Sequence, residues 1–275
     1  MNDQPLYMGK ISYINASPVY YGLDRGLLPD WLKMVPDVPS VLNRKIMTGE
    51  IKISPISAAF YAMNHRDLLL LPDLSISCHG RVMSVLLASH TKMDDLNGKK
   101  VMFSRESASA AAFLKMMFHR KKISPLYEVG DVSDFFRVSK RADAVLVIGD
   151  AALVNPWHQT FEHCIDLGQL WYDMTQLPFV FAVWVVRRSF AEKNPSRVSH
   201  IHGLLLDSKR QGDQHMEEIV EAGKNKLNLS SSVIREYFNL LHCDLDDKKK
   251  RAMRLFFDSL LDQGIIKERA EICFF

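Results

Sequence analysis

The sequence has few cysteines and no arrangement of side chains that would build a metal site. The four cysteines are Cys78, Cys164, Cys243 and Cys273. No two of them form a CxxC pair, and their spacing matches no zinc-binding pattern. The nearest approach to a metal motif, at His158, Glu162 and His163, lacks the spacing of zinc peptidases. The sequence therefore predicts unpaired thiols in a reducing compartment and no bound metal.

The sequence also lacks nucleotide-binding motifs and membrane-spanning runs. It contains neither GxGxxG nor a glycine-rich phosphate loop ending in Gly-Lys, which argues against NAD, flavin and ATP as cofactors. No apolar run is long enough to cross a bilayer, and residues 1–5 show no basic flank followed by an apolar stretch. These absences predict a cytoplasmic protein that binds no membrane and no nucleotide cofactor.

Charge of one sign is not in excess either. The chain has 35 Lys and Arg against 32 Asp and Glu, a formal net charge of +3, which is too small to indicate nucleic-acid binding. The one basic run, at residues 248–251, is typical of the solvent-facing side of an amphipathic helix. We therefore expect a small-molecule partner and no nucleic acid.

What the sequence does have is a strand that leads directly into a polar, helix-opening turn. Ile11 and Tyr13 belong to an apolar strand pattern, and Asn15, Ser17 and Pro18 follow it. Asn and Ser cap helices, and Pro suits the first helical position. A helix that opens here presents unpaired backbone N–H groups and the positive end of its dipole. The turn is therefore a candidate site for a carboxylate or a phosphate.

Three further turns repeat this design, at residues 54–57, 107–109 and 149–150. In α/β sheets, ligands bind beyond the carboxyl ends of the strands, where these turns lie. Any one of them can be explained as a cap for its own helix. Their recurrence favours a shared anion site, formed by neutral hydroxyl and amide donors and by backbone N–H groups.

The order of strand and helix patterns predicts two lobes. Strands and helices alternate over residues 7–89, a second α/β unit follows, and the chain is helical from residue 187 onward. Long apolar strands at 82–88 and 179–186 bracket the second unit. We predict that these strands connect a first lobe (1–85 plus 183–275) to a second lobe (86–182), with a ligand cleft between them. The alternative is one continuous sheet with both strands at its centre.

Two residues beside the first of these strands are further candidates. His79 could bind an anion or move a proton, and Arg81 could pair with a carboxylate. An equally good interpretation is a solvated loop.

A series of motifs, in order along the chain, resembles chorismate dehydratase, the first enzyme of the futalosine route to menaquinone. The motifs lie at residues 9–18, 38–43, 53–57, 70–77, 84–87, 147–153, 166–168 and 175–184. The resemblance implies a type-II periplasmic-binding-protein-like α/β fold, with two lobes, two crossover strands and a cleft. It also implies a cofactor-independent lyase that converts chorismate, a small dicarboxylate, to 3-(1-carboxyvinyloxy)benzoate and water.

The resemblance further implies that Asn15, in the motif SYxNxxP, is the catalytic residue and that the enolpyruvyl carboxylate of the substrate acts as the base. The expected substrate-binding residues are Tyr13, Ser17, Ser57, His79, Ser107, Ser109, Gly149 and Asp150. Cys78-His79-Gly80 and Ala110 depart from the family pattern. Two alternatives remain: the 1,4-dihydroxy-6-naphthoate synthase of the same pathway, and a non-catalytic small-anion-binding protein.

Overall fold

Two β-sheets divide the protein into two lobes. The computed structural model describes residues 5–104, 108–132 and 134–275. Sheet A, in the first lobe, contains β1 (Leu6–Ile11), β2 (Leu32–Asp37), β3 (Ile53–Ser57), β4 (Leu68–Cys78), β10 (Phe179–Arg187) and β11 (Leu241–His242). Sheet B, in the second lobe, contains β5 (Val85–Ser89), β6 (Lys100–Ser104), β7 (Leu126–Gly130), β8 (Ala144–Ile148) and β9 (His163–Asp166).

Both sheets mix parallel and antiparallel pairs. Sheet A has the order β11–β4–β10–β3–β1–β2, and sheet B has the order β7–β6–β8–β5–β9. In sheet A, β1 runs parallel to β2 and β3, whereas β10 lies antiparallel between β3 and β4. Two separate sheets confirm the prediction of two lobes, and the alternative of one continuous sheet is wrong.

Helices cover both sheets. In the first lobe they are α1 (Ser17–Tyr20), α2 (Pro39–Thr48), α3 (Ala58–Met63), α9 (Arg188–Lys193), α10 (Pro195–Gln214), α11 (Met216–Leu227), α12 (Ser231–Leu240) and α13 (Asp247–Asp262). In the second part of the chain they are α4 (Ala108–Arg120), α5 (Phe135–Ser139), α6 (Asp150–Val154), α7 (Trp157–Thr160) and α8 (Leu167–Thr175). Within the described ranges, no helix is both long and apolar enough to cross a membrane.

The chain passes between the two sheets at residues 79–84 and returns at residues 167–178, a segment that includes α8. Both long apolar strands flank these passages, but each belongs to one sheet: β5 lies in sheet B and β10 lies in sheet A. The chain therefore reaches sheet A again before the boundary between residues 182 and 183 that we expected from the sequence. β10 stays whole because it pairs with β4 from Phe179 to Arg187 and with β3 on its other side.

The first helix of the chain is short. The structure has the four-residue α1 and, after it, a separate 3-10 helix, Leu23–Arg25. Gly22 stands between them and packs so closely on α10 that a Cβ atom there would lie 2.9 Å from the Cα atom of Ser208. This contact with the neighbouring helix takes the place of a continuous helix.

The lobes share a hydrophobic core on one side of the molecule. Four buried aromatic rings, which we call the aromatic seam, connect elements of both lobes: Phe113 of α4, Trp171 of α8, Phe179 of β10 and Phe256 of α13. Their ring centroids lie 5.0–5.8 Å apart. Aromatic rings at such distances contribute packing energy beyond the area they bury. The seam therefore joins the lobes through apolar contact.

Candidate functional site

A cavity of about 70 Å³ lies between the lobes. Both sheets contribute to its wall at the ends of their strands. The described residues of the wall are Ile11, Tyr13, Asn15, Pro39, Ser57, Ile76, Val82, Ser84, Val85, Ser109, Ile148, Gly149, Phe181, Ala182 and Leu241. All of them are uncharged, so a ligand would meet neutral donors and apolar surface.

Asn15 lines this cavity and carries a buried polar atom that is unpaired among the described residues. It lies in the 3-10 helix Ile14–Ala16, directly after β1. The sequence suggested that Asn15 caps a helix, but neither this helix nor α1 has a side-chain cap. The Oδ1 atom of Asn15 is buried and has no hydrogen-bond partner among the described residues. Because an unpaired buried acceptor costs about 1–3 kcal/mol, a ligand that donates a hydrogen bond here would relieve that cost.

Two serine hydroxyls in the wall accept hydrogen bonds from the protein. Ser57 ends β3 and caps α3, with its Oγ accepting from the N–H of Phe60 at 3.2 Å. Ser84 Oγ accepts from the hydroxyl of Tyr237 at 2.9 Å. Burial raises the pKa of Tyr237, so its hydroxyl remains a neutral donor. In each serine the oxygen accepts a bond from the protein, and the hydroxyl hydrogen has no acceptor among the described residues.

Ser109 also lines the cavity, but its hydroxyl is used in contacts between the lobes. Its Oγ accepts from the N–H of Ala59 at 3.0 Å and donates to the carbonyl of Phe181 at 3.0 Å. Both partners belong to the first lobe, whereas Ser109 belongs to α4. Ser109 therefore connects the lobes, and its hydrogen is already donated.

Tyr13 and Gly149 meet across the cavity. Gly149 follows β8 with φ +65°, a backbone conformation that L side chains rarely adopt. A Cβ atom at this position would lie 2.8 Å from the ring of Tyr13. The N–H of Gly149 donates to the carbonyl of Ser84 at 2.8 Å. A glycine is therefore required here for the ring of one lobe to rest on the backbone of the other.

Asp150 lies behind the cavity wall. Its carboxylate accepts from the N–H of Ile14 at 3.1 Å and pairs with the Nζ of Lys226 at 3.0 Å. We expected the N–H groups of the helix-opening turns to receive a ligand anion. Instead, those of Ile14, Ala59 and Phe60 bind acceptors of the protein, so these three N–H groups are not free for a ligand.

The remaining predicted site residues do not line the cavity. Ser17 is half-buried in α1, outside the wall. His79 is exposed beside Tyr172, with ring centroids 4.9 Å apart. Partial desolvation of its ring and the nearby ammonium group of Lys248 lower the pKa of His79. Ser107 lies outside the described residues.

Neither Arg81 nor a metal site is part of the cavity wall in the described structure. Arg81 pairs with Glu236 at 2.8 Å, away from the wall. No cluster of three potential metal ligands occurs in the part of the chain that the structure describes.

Comparison with known proteins places this chain in a family. The family model described as menaquinone biosynthesis matches residues 6–261. The chain belongs to the menaquinone biosynthesis family. The chorismate dehydratase of Thermus thermophilus is 28% identical over 272 residues, covering 94% of this chain and 96% of that protein. The 1,4-dihydroxy-6-naphtoate synthase of the same organism is 22% identical, covering 91% and 92%.

A solved structure identifies the fold of this member of the menaquinone biosynthesis family. The periplasmic aliphatic sulphonate binding protein of Escherichia coli superposes with a TM-score of 0.64 at 14% identity, covering 98% of this chain and 90% of that one. The fold is therefore periplasmic-binding-protein-like, as the resemblance implied. The cavity between its lobes is the place where such a two-lobed fold offers an enclosed ligand site.

Sequence reasoning did not identify every wall residue of this family member. Ser84 stands in one of the quoted motifs but was not expected at the site, although it lies in the passage between the sheets, where both lobes are close. The apolar wall residues, such as Phe181 and Leu241, carry no signal that separates them from ordinary core residues. Their place in the wall follows from how the sheets pack.

Proposed function

We propose that the protein is a chorismate dehydratase, a lyase of the futalosine route to menaquinone that converts chorismate to 3-(1-carboxyvinyloxy)benzoate and water. The observation that carries the proposal is the buried Oδ1 of Asn15, which is unpaired among the described residues and belongs to the wall of the cavity between the lobes. Membership of the menaquinone biosynthesis family and the similarity to a named chorismate dehydratase support it.

In the proposed reaction, the enolpyruvyl carboxylate of chorismate removes the proton at C3. The electron pair of that C–H bond forms the new ring double bond as the C4–O bond breaks. The departing hydroxyl takes the proton from the carboxylic acid, giving water. Because the ring becomes aromatic, the elimination needs no redox partner, and we propose that it proceeds without a cofactor.

The protein's part in this reaction is to hold the substrate in one reactive orientation. Asn15 Oδ1 accepts from the C4 hydroxyl of chorismate, which aligns the C4–O bond for departure. Ser57 and Ser84 donate to the carboxylates, and Tyr13 with Gly149 closes the wall. Positioning and fixed dipoles of this kind account for large rate accelerations.

The decisive experiment is to incubate the purified protein with chorismate and follow the products by HPLC. We expect loss of chorismate and accumulation of the aromatic product, at an unchanged rate in EDTA. Unchanged chorismate contradicts the proposal, and loss of activity in EDTA contradicts its cofactor-free form.

The runner-up is the 1,4-dihydroxy-6-naphthoate synthase, since a protein of that name matches most of the chain at lower identity. Such an enzyme needs a different, cyclic substrate and leaves chorismate intact. A non-catalytic binder would also leave chorismate intact but would raise its own melting temperature in the presence of chorismate. The same protein preparation therefore separates the three functions.

A further inference from the structure

We propose that Asp150 is a positioning residue: it reaches from the second lobe to the first and sets the direction of Asn15. This role differs from the substrate contact expected from the sequence, and its kinetic test rests on the proposed function.

The contacts of Asp150 cross between the lobes at one point. Asp150 opens α6, directly after β8 and the turn at Gly149. Its Oδ1 accepts from the N–H of Ile14, and its Oδ2 lies 3.0 Å from the Nζ of Lys226. Lys226, at the end of α11, also donates to the carbonyl of Ser12. One carboxylate thus ties together α6, the turn after β1 and the end of α11.

The contact with Ile14 controls the turn that carries Asn15. Ile14 is the first residue of the 3-10 helix, and Asn15 is the next. Two other backbone bonds restrain this short helix: the N–H of Ala16 reaches the carbonyl of Tyr13 at 3.4 Å, and the N–H of Ser17 donates to the carbonyl of Ile14. Because the Oδ1 of Asn15 has no partner of its own in the described structure, the backbone determines where that oxygen points. Asp150 fixes this backbone from the opposite lobe.

The two contacts of the Asp150 carboxylate, with Ile14 and with Lys226, should contribute unequally to its role. Its side chain is 20% exposed, whereas that of Lys226 is 48% exposed. Ion pairs with an exposed partner are weakened by solvent and salt. The bond to Ile14 is directional, and leaving a partly buried N–H unpaired is costly. Acceptance of the Ile14 N–H, not the negative charge, should therefore carry the function of Asp150.

Three variants separate these contributions. Asp150→Ala removes both contacts and should lower kcat on chorismate roughly 10- to 100-fold, the size expected when a reacting group is misplaced by about 1 Å. Asp150→Asn keeps an oxygen acceptor for Ile14, and Lys226→Met removes only the ion pair. Both should stay within about fivefold of the wild-type kcat. A direct substrate contact predicts instead a rise in KM for both Asp150 variants.

The matched control is Asp94→Asn. Asp94 pairs with Lys121 at 2.7 Å within the second lobe, so this variant loses an ion pair that does not cross between the lobes. We expect wild-type kcat and KM. Circular dichroism of every variant checks that it is folded.

Amide hydrogen exchange tests the geometry without any substrate. Asp150→Ala should accelerate exchange at Ile14, Asn15 and Ala16, whereas Asp150→Asn should preserve the wild-type protection. If the wild type leaves chorismate unchanged, the proposed function fails, and this measurement still decides the role of Asp150.

Either of two results overturns the inference: equal kcat losses in Asp150→Ala and Asp150→Asn, or wild-type exchange at Ile14 in Asp150→Ala. Should Asp150→Ala not fold, Asp150→Asn decides alone, because a kcat loss beyond roughly tenfold in that variant contradicts the acceptor role.

Discussion

Two of the contacts between the lobes differ in chemistry. On one side, the aromatic seam packs four buried rings within 5.0–5.8 Å of their neighbours. On the other side, Gly149 and Asp150 meet Tyr13 and Ile14 through a ring contact and a single hydrogen bond. Apolar burial is strong and non-directional, whereas a hydrogen bond is weaker and directional. The seam should therefore determine stability, and the contact at Asp150 should determine geometry.

The polar groups of the cavity divide in the same way. In the first lobe, Asn15 and Ser57 keep bonding capacity that a ligand can use. In the second lobe, Ser109 and Asp150 use theirs on the backbone of the first. Similar strand-to-helix turns thus leave bonding capacity for a ligand in one lobe and connect the lobes in the other.

The largest expected effect comes from breaking the seam. Phe113→Ala removes a fully buried ring that contacts Trp171 and Phe179. The free energy of unfolding should fall by about 3–5 kcal/mol, as measured by urea denaturation. The control Phe136→Ala removes a ring that is 76% exposed and should change that free energy by less than about 0.5 kcal/mol. Equal losses in the two variants would mean that the seam does not hold the lobes.

Asn15→Ala should affect turnover much more than stability, whereas Phe113→Ala should mainly affect stability. Loss of the Asn15 Oδ1, for which we propose a contact with the substrate, should lower kcat about 100- to 1,000-fold, comparable to removing a preorganised hydrogen-bonding group from other active sites. Stability should stay within about 1 kcal/mol or rise, because a buried unpaired acceptor is removed. HPLC turnover assays and thermal unfolding measure the two effects.

Asn43→Ala is the control for Asn15→Ala. Asn43 also has a buried Oδ1 without a partner among the described residues, but it lies in α2, outside the cavity wall. We expect full turnover in this variant. Near-wild-type turnover in Asn15→Ala would remove Asn15 from the reaction.

Of the three substitutions that test these contacts, Gly149→Ala should have the smallest effect. The new Cβ would meet the ring of Tyr13 at 2.8 Å and require φ +65°, which should lower the free energy of unfolding by about 1–3 kcal/mol. Turnover should fall as well, because Tyr13 is displaced next to Asn15.

Gly203→Ala provides the matching control. Gly203 lies in α10, with open space around its Cβ position, and the substitution should stabilise the protein by about 0.5–1 kcal/mol. A Gly149→Ala variant as stable as the wild type would show that the two lobes adjust freely at this contact.

The sequence predicted the elements around the site because each is a local pattern. The strand before Tyr13, the turn at Asn15 and the cap at Ser57 are all encoded within a few residues. The structure brings Tyr13, Asn15, Ser57, Ser109 and Gly149 to one cavity, as the shared-site hypothesis required. Their roles toward a substrate remain predictions.

What the sequence did not predict depends on contacts between distant segments. Ile14 and Asp150 are 136 positions apart, and Ser109 and Phe181 are 72 apart. No periodicity or spacing relates such pairs, so the N–H groups of Ile14 and Ala59 looked available although both bind side chains of the second lobe. The apolar wall was missed for a related reason, since cavity-lining and core side chains are alike in sequence.

The position of β10 in sheet A has a consequence for biosynthesis of the chain. Sheet B is contiguous in sequence, so all of its strands have been made by residue 166. β3 and β4 must wait for β10, which enters between them from the far side of that unit. In a growing polypeptide, the edges of β3 and β4 that pair with β10 therefore stay unpaired until translation has passed residue 187. Unpaired edges are prone to aggregation, and such long-range pairing is slow. The first lobe begins earliest and is completed last.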